Sequence, residues 1–390
     1  MPGARFLLGL ALLTGGCLRH ARDAFLLNGE VQDFPSALFQ SVGARLQPGH
    51  QLTLVQNGKV FDAMIEDISR AHTSINIVIY IWHSGEPSDR ILKALAARPH
   101  GVTCRVLVDP FGSPDFERNV ESRLAELGCA VRVFRPITRH NLFERDHRKL
   151  VVIDGAIGFV GGFGIRADWS GEDGDPEWRD CNLRVAGPAV AGMQRAFAQN
   201  WQETGGKLLP ADEFPEIAAA GDAQVAFVSS TTSYVTDAER LTHLAIASAR
   251  KRVWIANAYF IPDGPLMDLL ARKRREGVDV EVIVPGDKDD VKAALVAQRR
   301  TYRRLLHAGI GLWEYQPVMM HAKTIVIDDH LAVVGSINMN ELSFTSLEES
   351  AVVIEDPVFN AELAASWETD RQRCHQVLRP KRTISLRRWP

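Results

Sequence analysis

The chain has 390 residues, 46% of them hydrophobic, and its 45 Lys and Arg residues nearly balance its 48 Asp and Glu residues. A chain of this length can bury substantial cores, and length alone indicates two or three domains. The net charge of −3 argues against a protein dedicated to long tracts of nucleic acid. No apolar run reaches the roughly 18 residues that a membrane-spanning helix needs, so any membrane attachment is expected to be peripheral.

The first 17 residues combine an arginine, an apolar run and small residues before a cysteine. This order is typical of a bacterial lipoprotein signal, in which cleavage leaves the cysteine to carry acyl chains. An ordinary secretory signal and a short buried helix are the alternatives, because Thr14 stands where an aliphatic residue is usual. We therefore predict a lipoprotein signal over residues 1–17 and lipidation at Cys17.

The segment that follows, residues 18–204, is predicted to be a first α/β domain. Stretches rich in Val and Ile, typical of buried strands, alternate in it with segments of helical spacing. The clearest of these strands are residues 75–82, 101–108 and 150–153. The last one lies within the pattern H-x-K-x-x-x-x-D, formed by His147, Lys149 and Asp154, and Gly161 follows seven residues later.

Residues 205–223 contain several Gly and Pro residues and are predicted to link the first domain to a second one over residues 224–378. The second domain repeats the first, because strand-like stretches at residues 253–260 and 277–284 follow their counterparts at separations of 178 and 176 residues. A basic tail over residues 379–390 completes the chain and is expected to contact anionic head groups.

The pattern H-x-K-x-x-x-x-D recurs as His321, Lys323 and Asp328, 174 residues after its first copy. One copy of so short a pattern is weak evidence, but surroundings that repeat at nearly constant separation indicate a duplication. Residues i and i+2 of a strand share a face, so each copy presents an imidazole beside an ammonium. Such a pair suits phosphoryl chemistry, because lysine neutralises phosphoryl oxygens and a neutral imidazole can attack phosphorus or move a proton.

Three stretches of the sequence resemble the phospholipase D superfamily, and within it the bacterial cardiolipin synthases. They are WRDCNLRVAGPAV, YFIPDGPLMDLLARKRREGVDVEVIVPG and HAKTIVIDDHLAVVGSINMN. The resemblance implies an α/β fold of two phospholipase D-like α/β/α sandwich repeats that form a pseudo-twofold dimer within one chain. It also implies that both motifs build one active site, so that a monomer is sufficient for catalysis.

The resemblance places the motif residues His147, Lys149, Asp154, His321, Lys323 and Asp328 in the active site. Asp154 and Asp328 follow their strands at turns, which also indicates structural duties. Ser336 and Asn338 match the G-S-x-N element of the family and are expected to bind phosphate. Gly164 stands where the first motif of relatives often carries Asn, so the first half-site lacks that amide.

Two acidic residues, Asp180 and Glu349, occupy equivalent places in a second repeated element that aligns without gaps. In the family an acidic residue here accepts a hydrogen bond from the motif histidine and fixes its tautomer. We expect His147 to pair with Asp180, and His321 to pair with Glu349. A surface carboxylate is the alternative for both, and Glu348 competes with its neighbour.

The mechanism that the resemblance implies is a two-step transfer on a phosphodiester, with no cofactor and no metal. His147 is expected to attack phosphorus and form a phosphohistidine while His321 protonates the leaving alcohol, although the sequence itself does not choose between the two. Aromatic residues near the motifs, including Tyr259, Phe260 and Trp178, are candidates for an acyl-chain entrance, with core positions as the alternative.

The expected partners are a membrane surface, an anionic phospholipid donor, phosphatidylglycerol, and an alcohol or lipid acceptor; no nucleic acid is expected. With phosphatidylglycerol in both roles, transfer gives cardiolipin and glycerol. Hydrolysis of phospholipids is the first alternative, followed by a phosphodiesterase or nuclease activity. A lipid-binding scaffold without catalysis is the alternative from another class, and two complete motifs count against it.

The remaining cysteines show no spacing typical of a metal site, and three of them lie in apolar strand-like stretches where buried free thiols are expected, with a disulfide left open. They are Cys104, Cys129, Cys181 and Cys374. The signal-like start predicts an exported, lipid-anchored protein of the bacterial cell envelope. Peripheral attachment to the cytoplasmic face of the inner membrane is the alternative.

Overall fold

The computed structural model of this chain describes residue 27 and residues 30–171 and 176–378. The predicted signal with Cys17, and the basic tail over residues 379–390, lie outside the described residues. Lipidation of Cys17 and contact of the tail with head groups stay predictions. Among the residues that are described, no helix is long and apolar enough to cross a membrane.

The strands of the first half are β1 (Gln47–Gln56), β2 (Ser74–Ile79), β3 (Thr103–Val108), β4 (Ala130–Val133), β5 (Arg145–Asp146), β6 (Lys149–Ile153), β7 (Ile157–Gly161) and β8 (Cys181–Ala186). Those of the second half are β9 (Ala223–Ser230), β10 (Arg252–Asn257), β11 (Asp279–Pro285), β12 (Gly311–Tyr315), β13 (Lys323–Ile327), β14 (Leu331–Gly335), β15 (Leu347–Glu355) and β16 (Cys374–Gln376).

The helices of the first half are α1 (Phe34–Val42), α2 (Lys59–Ser69), α3 (Glu86–Ala96), α4 (Ser122–Glu126), α5 (Ala167–Ser170) and α6 (Val190–Glu203), with a π-helical turn over Glu117–Glu121. A 3₁₀ turn covers Ala211–Glu213. The second half contributes α7 (Asp237–Ser248), α8 (Gly264–Arg275), α9 (Lys292–His307), α10 (Glu341–Thr345) and α11 (Pro357–Arg371).

One sheet runs through both halves, in the order β16-β12-β11-β10-β13-β14-β15-β9-β1-β8-β7-β6-β2-β3-β4. The order of the second half mirrors that of the first about the antiparallel pair β1 and β9. In each half three parallel strands, such as β2, β3 and β4, flank antiparallel ones. The predicted architecture, two α/β repeats related by a pseudo-twofold axis, is confirmed.

The motif strands form because their Val- and Ile-rich sequences are buried along their whole length. Every residue of β6 and of β13 is buried, as expected for strands in the middle of a sheet with helices on both faces. On one face each half has a separate apolar cluster, and that of the first half also includes Tyr259 and Met319 of the second half. On the other face a single cluster joins the halves, with Phe197 of α6, Val225 of β9 and Phe359 of α11.

The segment predicted to be a linker is attached to the first half. Glu213, within the 3₁₀ turn, is buried and accepts hydrogen bonds from Arg105 on β3 at 2.8 Å and from Asn76 on β2 at 3.1 Å. The early helix α1 packs instead on the second half, since Phe34 and Leu38 belong to that half's apolar cluster.

The motif aspartates lie at the end of β6 and β13 that is remote from the histidines. Asp154 and Asp328 both adopt a positive φ, 54° and 49°. Each carboxylate accepts three consecutive backbone N–H groups, those of residues 72–74 and of residues 250–252 respectively. These aspartates therefore tie the chain ahead of β2 and β10 to the motif strands, and their assignment to the active site is wrong.

The expectation of free thiols is wrong for two cysteines. Cys104 and Cys129 form a disulfide, whereas Cys181 and Cys374 are free. The pairing of β3 with β4 aligns Arg105 with Ala130, which brings the preceding cysteines side by side. Sequence spacing does not reveal this register, because it depends on how the two strands meet.

Candidate active site

The two motif histidines line one cavity of about 660 Å³ at a single edge of the sheet. Both β6 and β13 begin there, and they run antiparallel to β2 and β10. The cavity therefore opens at the carboxyl ends of the parallel strands, where open α/β sheets commonly bind ligands. Lys149 and Asn338 also line it, and Lys323 lies just behind His321.

His147 is held from the second half of the chain. Its Nδ1 lies 3.0 Å from both carboxylate oxygens of Glu349, and its backbone N–H donates to the carbonyl of Glu348 at 2.9 Å. The edge of its ring packs against Tyr80, with ring centroids 4.8 Å apart. Because an ionised carboxylate only accepts, Nδ1 carries the proton and Nε2 keeps its lone pair for chemistry.

His321 is held in the same way from the first half. Its Nδ1 lies 3.0 Å from Oδ2 of Asp180, and its backbone N–H donates to the carbonyl of Arg179 at 2.7 Å. Its ring packs against the indoles of Trp169 and Trp178, at centroid distances of 5.0 and 5.4 Å. The two imidazoles thus have matching carboxylate supports and unlike aromatic neighbours.

The predicted pairing of histidines with carboxylates is therefore wrong in its partners. We expected each histidine to pair within its own half, but His147 pairs with Glu349 and His321 with Asp180. The physical reason is that β5 pairs with the start of β15, so the chain just before His147 lies against the strand that carries Glu349 in the other half. Each carboxylate consequently couples the two halves.

The carboxylates are fixed by hydrogen bonds that differ between the halves. Glu349 accepts from Ser336 Oγ at 2.5 Å and from Ser343 Oγ at 2.6 Å. Asp180 accepts from Trp169 Nε1 at 2.8 Å and from its neighbour's backbone N–H at 2.8 Å. The expected phosphate contact of Ser336 is wrong, because this fully buried hydroxyl lies behind Glu349.

Asn338 does line the cavity, and its Oδ1 is buried without a hydrogen-bond partner among the described residues. Gly164, the equivalent position of the first half, has no room for that amide. A Cβ there would lie 2.9 Å from the Trp169 ring and 3.0 Å from Ile81. Trp169 thus takes the space of the missing Asn, and Asn338 stays a predicted phosphate contact.

Both motif lysines are buried in the site. Burial lowers the pKa of Lys149 to about 7 and that of Lys323 to about 8, although the carboxylates Glu349 and Asp180 oppose this effect. Lys323 Nζ lies 3.1 Å from the ring nitrogens of His321. A bound phosphodiester would favour the charged form of both lysines, because an opposite charge nearby raises an ammonium pKa.

The surroundings of both motif histidines favour the neutral imidazole. Burial lowers the pKa of His147 to about 4 and that of His321 to about 3, and the neighbouring lysines lower both further, against the pull of the paired carboxylates. At Asp180 burial by itself raises the pKa, but the hydrogen bond from His321 and the charge of Lys323 hold it below its usual value. A neutral imidazole is the form that can attack phosphorus.

Comparison with known sequences decides the family. A sequence profile described as "Cardiolipin synthase, PLD-like domain" matches residues 64–201 and 243–371. The chain belongs to this family.

Members with curated names extend the same result. The chain is 32% identical to cardiolipin synthase 2 of Staphylococcus epidermidis over 333 residues, which cover 82% of this chain and 68% of that one. It is also 32% identical to cardiolipin synthase B of Salmonella typhi over 357 residues, covering 86% and 84%. The predicted superfamily, and the prediction of a cardiolipin synthase-like enzyme, are confirmed.

Among solved structures, the phosphatidylserine synthase of Haemophilus influenzae superposes on 92% of this cardiolipin synthase family member with a TM-score of 0.68. The match covers 95% of that chain at 15% sequence identity. At so low an identity it supports the fold alone.

Several residues of the site were not found by sequence reasoning. Tyr80, Arg166 and Trp169 contact or flank the motif residues, yet no pattern distinguishes them from core or surface residues in the sequence. Of the residues expected at an acyl-chain entrance, Tyr259 lines the cavity, whereas Phe260 is fully buried in the second half's core. The repeat does not reveal Trp169 either, because this residue aligns with Ser343, a side chain of different chemistry.

Proposed function

We propose that this protein transfers a phosphatidyl group from one phospholipid to an alcohol, and that it makes cardiolipin and glycerol from two phosphatidylglycerol molecules. The observation that carries the proposal is the pair of imidazoles in one cavity, each with Nδ1 bound to a carboxylate. Two such groups suit a reaction that needs a nucleophile and an acid on opposite sides of phosphorus.

In the proposed first step, Nε2 of His147 forms a bond to phosphorus, and the bond from phosphorus to the oxygen of the headgroup glycerol breaks. The departing oxygen takes a proton from Nε2 of His321. In the second step, the hydroxyl of another phosphatidylglycerol gives its proton to His321 and forms the new bond to phosphorus, while the bond to His147 breaks. The resemblance to relatives favours His147 as the nucleophile.

The charges of the site fit this sequence of steps. Glu349 stabilises the positive charge that the His147 ring gains when it is phosphorylated. The bound phosphodiester offsets the lysine charges that lower the pKa of His321, and so favours the imidazolium that protonates the leaving group. Lys149, Lys323 and Asn338 are proposed to stabilise the charge on the phosphoryl oxygens, a task that needs no metal here.

We also propose that the protein works at the bacterial cell envelope as an exported, lipid-anchored enzyme. The Cys104–Cys129 disulfide supports export, because such bonds persist mainly in oxidising compartments. Peripheral attachment to the cytoplasmic face is the alternative. Labelling with a radioactive fatty acid tests the anchor, since Cys17→Ser should abolish incorporation.

The decisive experiment incubates the purified protein with labelled phosphatidylglycerol vesicles in the presence of a metal chelator, followed by lipid separation. Cardiolipin with an equal amount of glycerol is the expected result. Phosphatidic acid without cardiolipin would make the enzyme a phospholipase, and no turnover of any lipid would overturn the proposal in favour of a nucleic-acid phosphodiester. A result that depends on added metal would contradict the metal-free mechanism.

The choice of nucleophile has its own test. A phosphatidyl ester of p-nitrophenol has a leaving group that needs no proton, so it bypasses the acid of the first step. The variant His321→Ala should release nitrophenol in a single burst, whereas His147→Ala should release none. The reverse pattern would assign the nucleophile to His321.

A further inference from the structure

Arg166 lines the cavity but belongs to neither motif. Its guanidinium lies over two indole rings, 5.5 Å from the centroid of Trp169 and 5.0 Å from that of Trp178. Both rings also pack against His321. The same two indole rings therefore contact both Arg166 and His321, the proposed acid and base of the reaction.

The hydrogen bonds of this arginine are incomplete. Its Nε donates to Asp168, while its Nη2 is buried and has no hydrogen-bond partner among the described residues. A buried guanidinium nitrogen without an acceptor is costly, and such groups are normally satisfied by a partner or a ligand. The natural ligand for it is an oxyanion, for which arginine has suitable geometry.

The second half has no equivalent of this group. Asn340 aligns with Arg166, and its side chain is used inside the protein, accepting from the Ser343 N–H at 3.1 Å and donating to the Tyr259 carbonyl at 3.3 Å. Among the described residues that line the cavity, Arg166 is thus the one cationic side chain beyond the motif lysines, and it lies on one side only. This asymmetry suits a reaction whose two substrates play different parts.

In the proposed synthesis the second step brings two phosphodiesters into one cavity. One is bound to the nucleophile between the motif residues, and the other belongs to the acceptor lipid, three carbons away from the attacking hydroxyl. The carboxylates of Asp115 and Asp290 line other parts of the wall and repel a misplaced anion. Among the described lining residues outside the motifs, Arg166 is the one cation near the second charge, and its pairing with Asp168 leaves Nη2 available.

We propose that Arg166 binds the phosphodiester of the acceptor lipid and so selects a phospholipid over a neutral alcohol as acceptor. The proposal rests on the function proposed above. Asp168 orients the guanidinium, and the two indoles keep its plane fixed, so the free nitrogen is presented without further ordering of the side chain.

The test compares acceptors in the variant Arg166→Gln. Exchange of labelled glycerol into phosphatidylglycerol uses a neutral acceptor, transfer to soluble glycerophosphoglycerol uses a free phosphodiester, and cardiolipin formation in vesicles uses a lipid. We expect the variant to raise the KM for glycerophosphoglycerol about 10- to 100-fold, as for a lost charged hydrogen bond. The ratio of cardiolipin to glycerol exchange should fall by a similar factor.

Arg184→Gln is the matched control, because that arginine is also partly exposed and paired with a carboxylate, Asp67 at 2.6 Å, but lies outside the cavity. It should keep the wild-type ratio of products. Arg166→Lys retains the charge without the planar fork, so it should recover part of the lost affinity. Arg166→Lys becomes the test variant if Arg166→Gln shows an altered thermal unfolding curve.

The other outcomes overturn the proposal in distinct ways. An equal loss with all three acceptors would assign Arg166 to the transferred phosphate or to folding, and no change would remove it from anion binding. A loss confined to vesicles would place the contact on the membrane surface instead of on the acceptor. Wild-type protein that neither exchanges glycerol nor makes cardiolipin would instead refute the proposed function itself, and this proposal with it.

Discussion

The two halves of this molecule have the same strand order but support their carboxylates with different chemistry. In the second half two serine hydroxyls, those of Ser336 and Ser343, donate to Glu349. In the first half the position equivalent to Ser336 is Gly162, where a Cβ would lie 2.3 Å from a carboxylate oxygen of Asp180, and Trp169 donates in place of Ser343. The duplication has kept an oriented carboxylate, and the donors that hold it have changed.

The residues just before the two carboxylates, Glu348 and Arg179, show the same contrast with side chains of opposite charge. The backbone carbonyls of Glu348 and Arg179 both accept the N–H of a motif histidine. The Glu348 side chain is held by Arg148 at 2.7 Å, whereas the Arg179 side chain is held by Asp370 at 2.8 Å. The backbone geometry is common to both halves, and either charge is tolerated in the interior because it is paired and hydrogen-bonded.

The most severe way to break the equivalence of the halves is to remove one imidazole. His147→Ala and His321→Ala should each lower the rate of cardiolipin synthesis on the order of 10⁴-fold, because residues that act as one unit are lost together. Initial rates with phosphatidylglycerol vesicles measure this. The exposed His330→Ala is the control, and half of the wild-type rate in either single variant would show two independent sites.

The crossed pairing can be tested by removing one carboxylate charge. Glu349→Gln should lower kcat about 10³-fold. It should also lower the pKa of His147 further, from about 4, because the carboxylate charge that the substitution removes stabilises the imidazolium. Titration of ¹⁵N-labelled imidazoles measures the pKa. Asp180→Asn should change His321 instead, and a pairing within each half would give the opposite assignment.

The disulfide is present in one half only and allows a comparison of stability. Cys104 and Cys129 correspond to Val280 and Ile310, both buried in the second half. Replacing both cysteines by Ala should lower the free energy of unfolding by about 3 kcal/mol, as expected for closure of a loop of this length. Denaturant unfolding measures the loss. Wild-type protein under reducing conditions should lose the same amount of unfolding free energy. A change of less than about 1 kcal/mol would contradict this role.

The smallest expected effect concerns the donors to the carboxylates. Ser343→Ala and Trp169→Phe each remove one hydrogen bond to a carboxylate and should lower kcat about tenfold. For Ser343→Ala the KM should stay nearly unchanged, since this buried hydroxyl does not line the cavity, and Ser343→Thr should restore most of the rate. A rise in KM without a fall in kcat for Ser343→Ala would instead place this hydroxyl in substrate binding.

Much of this protein was determined by local sequence. The buried runs Leu150–Ile153 and Thr324–Ile327 specify central strands, the i and i+2 spacing places each histidine beside its lysine, and the constant separation of the copies reveals the duplication. These features depend only on neighbouring residues and on the two-residue period of a strand, so they can be recognised from the sequence alone. The family, the fold class and the positions of the motif residues follow from them.

Tertiary structure alone decided which groups meet. The pairing of His147 with Glu349 depends on β5 joining β15 of the other half, and the disulfide depends on the register of β3 with β4. The serine at position 336 faces its own carboxylate because of how β14 lies against β15, and Arg166 meets the cavity because two indoles hold it there. His147 and Glu349 are 202 residues apart, and even the contacts between nearer residues depend on how whole strands and helices pack.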